Sequence, residues 1–265
     1  MLLTIRHTSR YHYDFPVPYA VQRLRLRPQT QAGQKVLDWR VDVDGAAPEV
    51  SYTDGFGNRV DLVRHDRNAH DITITATGRI ETEDRAGMLG ETGGFASLWL
   101  FQRRTALTEP GESVRAMVAD IPAADDRLSL LHALMGTIHG RIAYVPGATH
   151  VGTDAESALQ NGEGVCQDHA HVFLAAARLL DIPARYVSGY LMMEGVEEQT
   201  ASHAWAEAHV PGLGWVGFDA ANCICPNERY VRIACGLDYR DAAPVSGVRF
   251  GSATERLAVE INVAQ

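Results

Sequence analysis

Two periodicities divide this chain, and together they exclude an all-helical or an all-strand fold. Polar and apolar residues alternate at Arg23-Leu24-Arg25-Leu26-Arg27, at Trp39-Arg40-Val41-Asp42-Val43 and over His70 to Ala76. Period two marks a strand with one buried and one wet face. Leu128, Leu131, Leu134, Met135 and Ile138 instead recur at steps of three and four, which is helical spacing. Pro16, Pro18, Pro28, Asp44-Gly45 and Asp54-Gly55-Phe56-Gly57-Asn58 punctuate the first half. Asp-Gly between alternating runs marks a hairpin. The expected fold is α+β, with a small antiparallel sheet or sandwich over 1–100 and a mixed core over 101–265. Gly87, Gly90, Gly93, Gly94, Pro110 and Gly111 make 86–112 read as a linker.

Composition narrows the function. With 265 residues and 46% hydrophobic content the chain can bury a substantial core. The net charge is −9, from 33 acids against 24 bases, with no basic stripe. That disfavours nucleic acid and anionic membrane surfaces as partners. No apolar run approaches the roughly 20 residues of a membrane span. The start, Met1-Leu2-Leu3-Thr4-Ile5-Arg6-His7, lacks the pattern of a secretory signal. Cys166, Cys223, Cys225 and Cys235 are too few for a disulfide scaffold, so a cytoplasmic protein is expected. Cys223-Ile224-Cys225 with Cys235 lacks the usual C-x₂-C zinc spacing, and neither a metal nor a cofactor is expected.

The chemistry concentrates between Gly162 and Asn222. Glycines precede Cys166, and Ala170, Phe173, Ala177 and Leu180 follow it at helical steps until Asp181-Ile182-Pro183. Cys166 therefore opens a helix on its inward face. The helix field favours a thiolate there, and the first-turn amides can receive an oxyanion. A buried core cysteine is the other reading of the position alone.

Ser202 to Val210 alternates without a break, so His203, Trp205, Glu207 and His209 share one face of a strand. Pro211-Gly212-Leu213-Gly214 is a turn, and Trp215 to Asp219 returns. A nucleophilic cysteine needs a base, and the base needs an orienting acceptor. His203 and Asp219 can fill these roles only if the connection has odd length. A four-residue loop, 211–214, would put them on opposite faces. A five-residue loop, 210–214, sets His209 opposite Trp215 and Trp205 opposite Asp219. His203 is then diagonal to Asp219, about 7–8 Å away at the backbone, a gap side chains can close. That register is the expected one.

These segments resemble a family. Gly164-Val165-Cys166-Gln167-Asp168, His203-Ala204-Trp205-Ala206-Glu207 and Trp215-Val216-Gly217-Phe218-Asp219 are similar to the three motifs of the bacterial transglutaminase-like superfamily. Pro183 to Tyr190 resembles the strand after the cysteine helix. His7-Thr8 to Tyr13, Leu24 to Pro28 and Asp54 to Asn58 resemble the β-rich region preceding the core in bacterial members. Gly236-Leu237-Asp238-Tyr239 and Pro244 to Gly247 fit as well. The resemblance implies a papain-like α+β core, with a cysteine-bearing helix packed on an antiparallel sheet. It implies Cys166 as nucleophile, His203 as proton relay and Asp219 as its orienting acid. A thioester acyl-enzyme would form on a peptide or protein amide. Two positions depart from the pattern: Ala220-Ala221-Asn222 replaces Pro-Thr-Asn, and Leu237 replaces a frequent arginine.

Further candidates surround this set. Gln160 could donate its amide to the oxyanion, and His169 could line the cleft. Trp205 and Trp215 read as cleft walls or as core. Glu207 and His209 read as site residues or as cross-strand partners, and His171 as packed or exposed. Hydrolysis by a cysteine peptidase or amidase is expected. Acyl transfer to an amine is the runner-up, and a non-catalytic binding module is the rival of another class.

Overall fold

The structure is a computed structural model that describes residues 1–65, 69–91 and 96–265. In chain order its strands and helices begin with β1 (Leu2–Val17), β2 (Tyr19–Arg27), β3 (Gln34–Val43), β4 (Pro48–Thr53), β5 (Arg59–His65), β6 (Ala69–Thr82) and β7 (Met88–Gly90). A 3-10 turn over Leu98–Gln102 leads to α1 (Glu112–Ala119), α2 (Arg127–Arg141), β8 (Ala143–Tyr144), α3 (Ala155–Asn161), β9 (Glu163–Gly164) and α4 (Cys166–Leu179). The chain ends with β10 (Ala184–Leu191), β11 (Glu198–Gln199), β12 (His203–Val210), β13 (Gly214–Phe218), β14 (Tyr230–Gly236), α5 (Tyr239–Ala242), β15 (Val245–Phe250) and β16 (Glu255–Ala264). Among the described residues no helix is long and apolar enough to cross a membrane.

The alternating first half, joined by β11, β15 and β16 from the second half of the chain, forms two antiparallel sheets, ordered β11-β16-β1-β6-β3 and β15-β2-β5-β4. Their inward residues, among them Tyr13, Leu24, Leu26, Val63, Ile72 and Ile74, meet in one apolar cluster. A third sheet, β14-β10-β12-β13-β7, carries the mixed core. Helix α4 is buried along nearly its whole length, with Gln167 its one partly exposed residue before Leu179. A helix enclosed on every side belongs to a core, and its polar side chains Asp168, His169, His171 and Arg178 are buried with it. It packs against the face of β12 that presents Ala204, Ala206 and Ala208, where small side chains let helix and sheet approach. Leu3, Ile5, Ile80, Ile261 and Val263 join this same cluster, so the apolar interior runs from the first β sheet into the core.

The segment 86–112 differs from the expected linker. Met88–Gly90 pairs with β13 as an edge strand of the core sheet. Among its described glycines, Gly87 and Gly111 serve close approach. Gly87 has a positive φ of 77°, and a Cβ there would lie 2.9 Å from the Cys225 Cβ and 3.0 Å from the Gly217 carbonyl oxygen. Gly93 and Gly94 lie outside the described residues.

The open edge of the core sheet, β14, is closed by two side-chain amides from the N-terminal half. Gln34 Nε2 donates to the Arg232 carbonyl at 2.9 Å, and Arg232 N donates to Gln34 Oε1 at 2.8 Å. Asn58 repeats the pattern on Cys235, with both bonds at 2.8 Å. Each amide imitates a neighbouring strand's backbone, which blunts an edge that would otherwise invite pairing. Replacing Asn58 by alanine leaves a buried N–H and a buried carbonyl of Cys235 without partners. The expected loss is about 2 kcal/mol or more. Urea unfolding checks it, and a change below about 0.5 kcal/mol would contradict the latch.

Candidate active site

Cys166 is the first residue of α4 and is buried apart from a narrow exposed margin. The turn before it is fastened from several sides. Asp168 Oδ2 accepts from Val165 N at 2.8 Å and from Thr149 Oγ1 at 2.5 Å. Gly164 leaves the room this needs, since a Cβ there would sit 2.7 Å from the Asp168 Cβ. Strand β8 runs parallel to β9, with Tyr144 opposite Gly164. Ala143 N donates to the Gly162 carbonyl at 2.8 Å and Val145 N to the Gly164 carbonyl at 2.9 Å. The first-turn N–H groups of a helix have no acceptor one turn back, so the Cys166 amide is available to a ligand.

The β12–β13 connection has the expected odd length, with the ladder continuing one pair further. Val210 faces Gly214, leaving 211–213 as the loop, and His209 faces Trp215. His203 and Asp219 therefore reach one another, with Nε2 2.6 Å from Oδ2. The carboxylate is held on all sides. Asn222 Nδ2 and the Tyr230 hydroxyl donate to Oδ2 at 2.7 Å each, and Ala221 N and Asn222 N donate to Oδ1 at 3.0 and 3.2 Å. Burial disfavours the charged carboxylate, but the bond to His203, its charge and the Asn222 and Tyr230 bonds prevail and lower its pKa. Burial also opposes the imidazolium. The charge of Cys166, the bonds to Asp219 and Cys166 and the charge of Asp219 outweigh it and push His203 up to about 10. With Nε2 occupied by Asp219, Nδ1 is the nitrogen left for Cys166.

Cys166 and His203 line a cleft of about 640 Å³ whose walls include Tyr144, Val151, Leu191 and Met193. Three expected substrate contacts lie elsewhere. Gln160 is exposed on α3 and bonds Glu156 one turn back at 3.0 Å, so its amide is engaged away from the cleft. His169 is buried, with Nδ1 2.9 Å from the Val165 carbonyl oxygen and Nε2 3.1 Å from that of Ile142. Because α4 is enclosed on all sides, His169 clamps the strand before Tyr144 to the cysteine turn instead of facing solvent. Trp205 is buried beneath the histidine, its ring 6.2 Å from that of His203 and near-parallel at 27°. It supports the imidazole and does not line the Cys166 cleft.

Glu207 proves a cross-strand partner, buried and bonded by Arg185 and Arg232. His209 lies 3.3 Å from Glu91, and Trp215 packs under Arg185 at 4.0 Å. His171 is buried and accepts from Tyr239 N at 3.2 Å, while burial pulls its pKa down to about 4. Three site residues escaped the sequence reading. Asn222 was detectable as a short polar side chain just after an acid, an arrangement that favours local turn bonds. Tyr230 and Tyr144 carry no local signal.

Comparisons agree with this architecture. The family model for the transglutaminase-like superfamily matches residues 115–220, and the one for the bacterial transglutaminase-like N-terminal region matches residues 3–81. An uncharacterized protein of Mycobacterium leprae is 28% identical over 99% of this chain and 98% of its own length. An uncharacterized protein of Mycobacterium tuberculosis is 26% identical over 98% and 90%. The crystal structure of a "putative cysteine protease" from Cytophaga hutchinsonii covers 100% of this chain and 91% of its own, at 23% identity and a TM-score of 0.79. That likeness shows the fold.

The His203 proton should report the Cys166 charge. In the wild-type protein the imidazolium persists until the pH rises through about 10. Cys166→Ser removes the sulfur's charge and its bond, so the titration midpoint of the His203 ring should fall. A ring-proton NMR titration measures this, and an unchanged midpoint would contradict the coupling.

Proposed function

The chain belongs to the transglutaminase-like superfamily, and from that premise we propose that it hydrolyses peptide or peptide-like amides through a thioester formed on Cys166. The observation that carries this reading is the buried 2.6 Å bond between His203 and Asp219, made beside a cysteine that opens a helix in the same cleft. A nucleophile, a base and an orienting acid within one cleft are what acyl transfer requires.

The Cys166 sulfur attacks the amide carbon, and the carbonyl π electrons move onto oxygen. The Cys166 N–H at the helix terminus donates to that oxyanion. As the intermediate collapses, the C–N bond breaks and the leaving amine takes its proton from His203 Nδ1. Asp219 holds the ring in orientation throughout and stabilises its charged form. Water then gives up a proton to His203 and attacks the thioester, releasing the acid and restoring the thiol. The apolar walls at Val151, Leu191 and Met193 favour an acyl donor with an uncharged side chain next to the scissile bond.

Hydrolysis is preferred to transfer because water needs no second binding site. A peptide-amide library, screened with and without a primary amine, separates the outcomes. Acid products that persist with the amine present support hydrolysis, and amine adducts as the main product would replace it by acyl transfer. Cys166→Ser should abolish turnover, and Asp219→Asn should cost on the order of 10⁴-fold in kcat while leaving the fold intact. Turnover that survives Cys166→Ser would sink the proposal. A cysteine alkylated at the same rate in wild type and His203→Ala would favour a binding module on this fold.

A further inference from the structure

The reaction above has one identified oxyanion donor, the Cys166 amide, and acyl-transfer sites commonly use two. We infer that the Tyr144 hydroxyl is the second donor, a catalytic group that hydrogen-bonds the oxyanion formed on Cys166. This inference rests on the reading of Cys166 as nucleophile.

Four observations point to Tyr144. Its side chain lines the cleft beside Cys166 and His203, 53% exposed, so its hydroxyl is accessible to substrate. Its backbone is rigidly tied to the nucleophile's own turn, opposite Gly164 in the β8–β9 ladder and continued by the bond from Val145 N to the Gly164 carbonyl. His169 packs against its ring at 6.3 Å and sets its two ring nitrogens 2.9 and 3.1 Å from the Val165 and Ile142 carbonyl oxygens, so one buried side chain sets the spacing between the tyrosine strand and the cysteine turn. The phenol also stands beside the sulfur in this cleft. Burial, then the charge and hydrogen-bonding pull of Cys166, push its pKa up to about 12, so it keeps its proton across the working range and serves as a donor only.

In the resting site the phenol stands beside the sulfur. When the S–C bond forms, negative charge appears on the oxygen attached to the new tetrahedral carbon. The phenol donates its hydrogen bond to that oxygen, and its proton stays on the tyrosine. Collapse re-forms the carbonyl, expels the leaving group and frees the phenol. Tyr144 thus supports both acylation and deacylation. His169 acts as a positioning residue through it.

Two reagents separate this role from a merely structural one. p-Nitrophenyl acetate acylates a thiol through an oxyanion, whereas iodoacetamide alkylates it by direct displacement with no oxyanion. Both adducts on Cys166 are followed by intact mass, in wild type and Tyr144→Phe, with Cys166→Ser as blank. The expected result is acylation slowed about 10²-fold in Tyr144→Phe, with alkylation unchanged or faster. Equal acylation in the two proteins, or acylation and alkylation falling in parallel, overturns the assignment of Tyr144 and leaves the Cys166 reading standing. Wild-type Cys166 that alkylates but never acylates overturns both.

Discussion

The register between β12 and β13 is the constraint on which the candidate site depends. Side chains on a strand alternate faces, so adding or removing one residue in the loop 211–213 would carry Asp219 to the face opposite His203. The turn is built to hold its length. Gly212 and Gly214 both have positive φ, at 83° and 76°, conformations that favour glycine. Gly214 also lies where a Cβ would come within 2.3 Å of the Gly90 carbonyl carbon, so β7 packs directly on the turn. The glycine-rich segment between the two halves of the sequence thus braces the hairpin that aligns base and acid.

Register alone would leave a buried carboxylate in an apolar setting, which is costly unless its lone pairs are occupied. Here every oxygen of Asp219 is bonded, by His203, Asn222, Tyr230 and the backbone of 221–222. The same logic repeats further along the sheet. Glu207 shares the face of His203 and is fully buried, with Arg185 and Arg232 on its two oxygens. Burial opposes its charge, but the two guanidinium groups prevail and lower its pKa. One strand therefore carries two ion-paired layers with Trp205 between them, and that aromatic spacer separates the His203–Asp219 pair from the Glu207 pair.

Cys166, His203 and Asp219 were legible because each announces itself locally: a cysteine at a helix start, a histidine on an unbroken alternation, an acid at the end of the returning strand. The register joining them followed from counting. What stayed illegible depends on partners distant in the chain. Gln34 and Asn58 look like ordinary strand and turn residues until β14 is laid beside them. Tyr144 becomes interesting only once β8 pairs with β9. His169 misled for a related reason. Helical spacing assigns it a direction, but cannot reveal that α1, α2, α3 and the sheet cover α4 on every side. Gln160 sits close to Cys166 in sequence, yet Gly162 turns the chain at a φ of 67° between them and the glutamine stays on the outer side of α3.

The N-terminal sheets do more than cap the core. Strand β16 returns along β1, and β11 pairs with β16, with Gln199 opposite Ile261. Val263 N adds a bond to the Glu197 carbonyl at 3.2 Å. Residues 198–202, which run from this pairing into His203, form one wall of the cleft. That wall is thus hung on the first β sheet, while the opposite wall, Tyr144 to Val151, hangs on the cysteine turn through Thr149 and Asp168. The width of the cleft is consequently set by how the two β layers dock, and the apolar cluster shared by Leu3, Ile5, Ile261 and α4 fixes that docking. A shift of the first sheet would therefore move the far wall of the cleft and leave Cys166, His203 and Asp219 where they are.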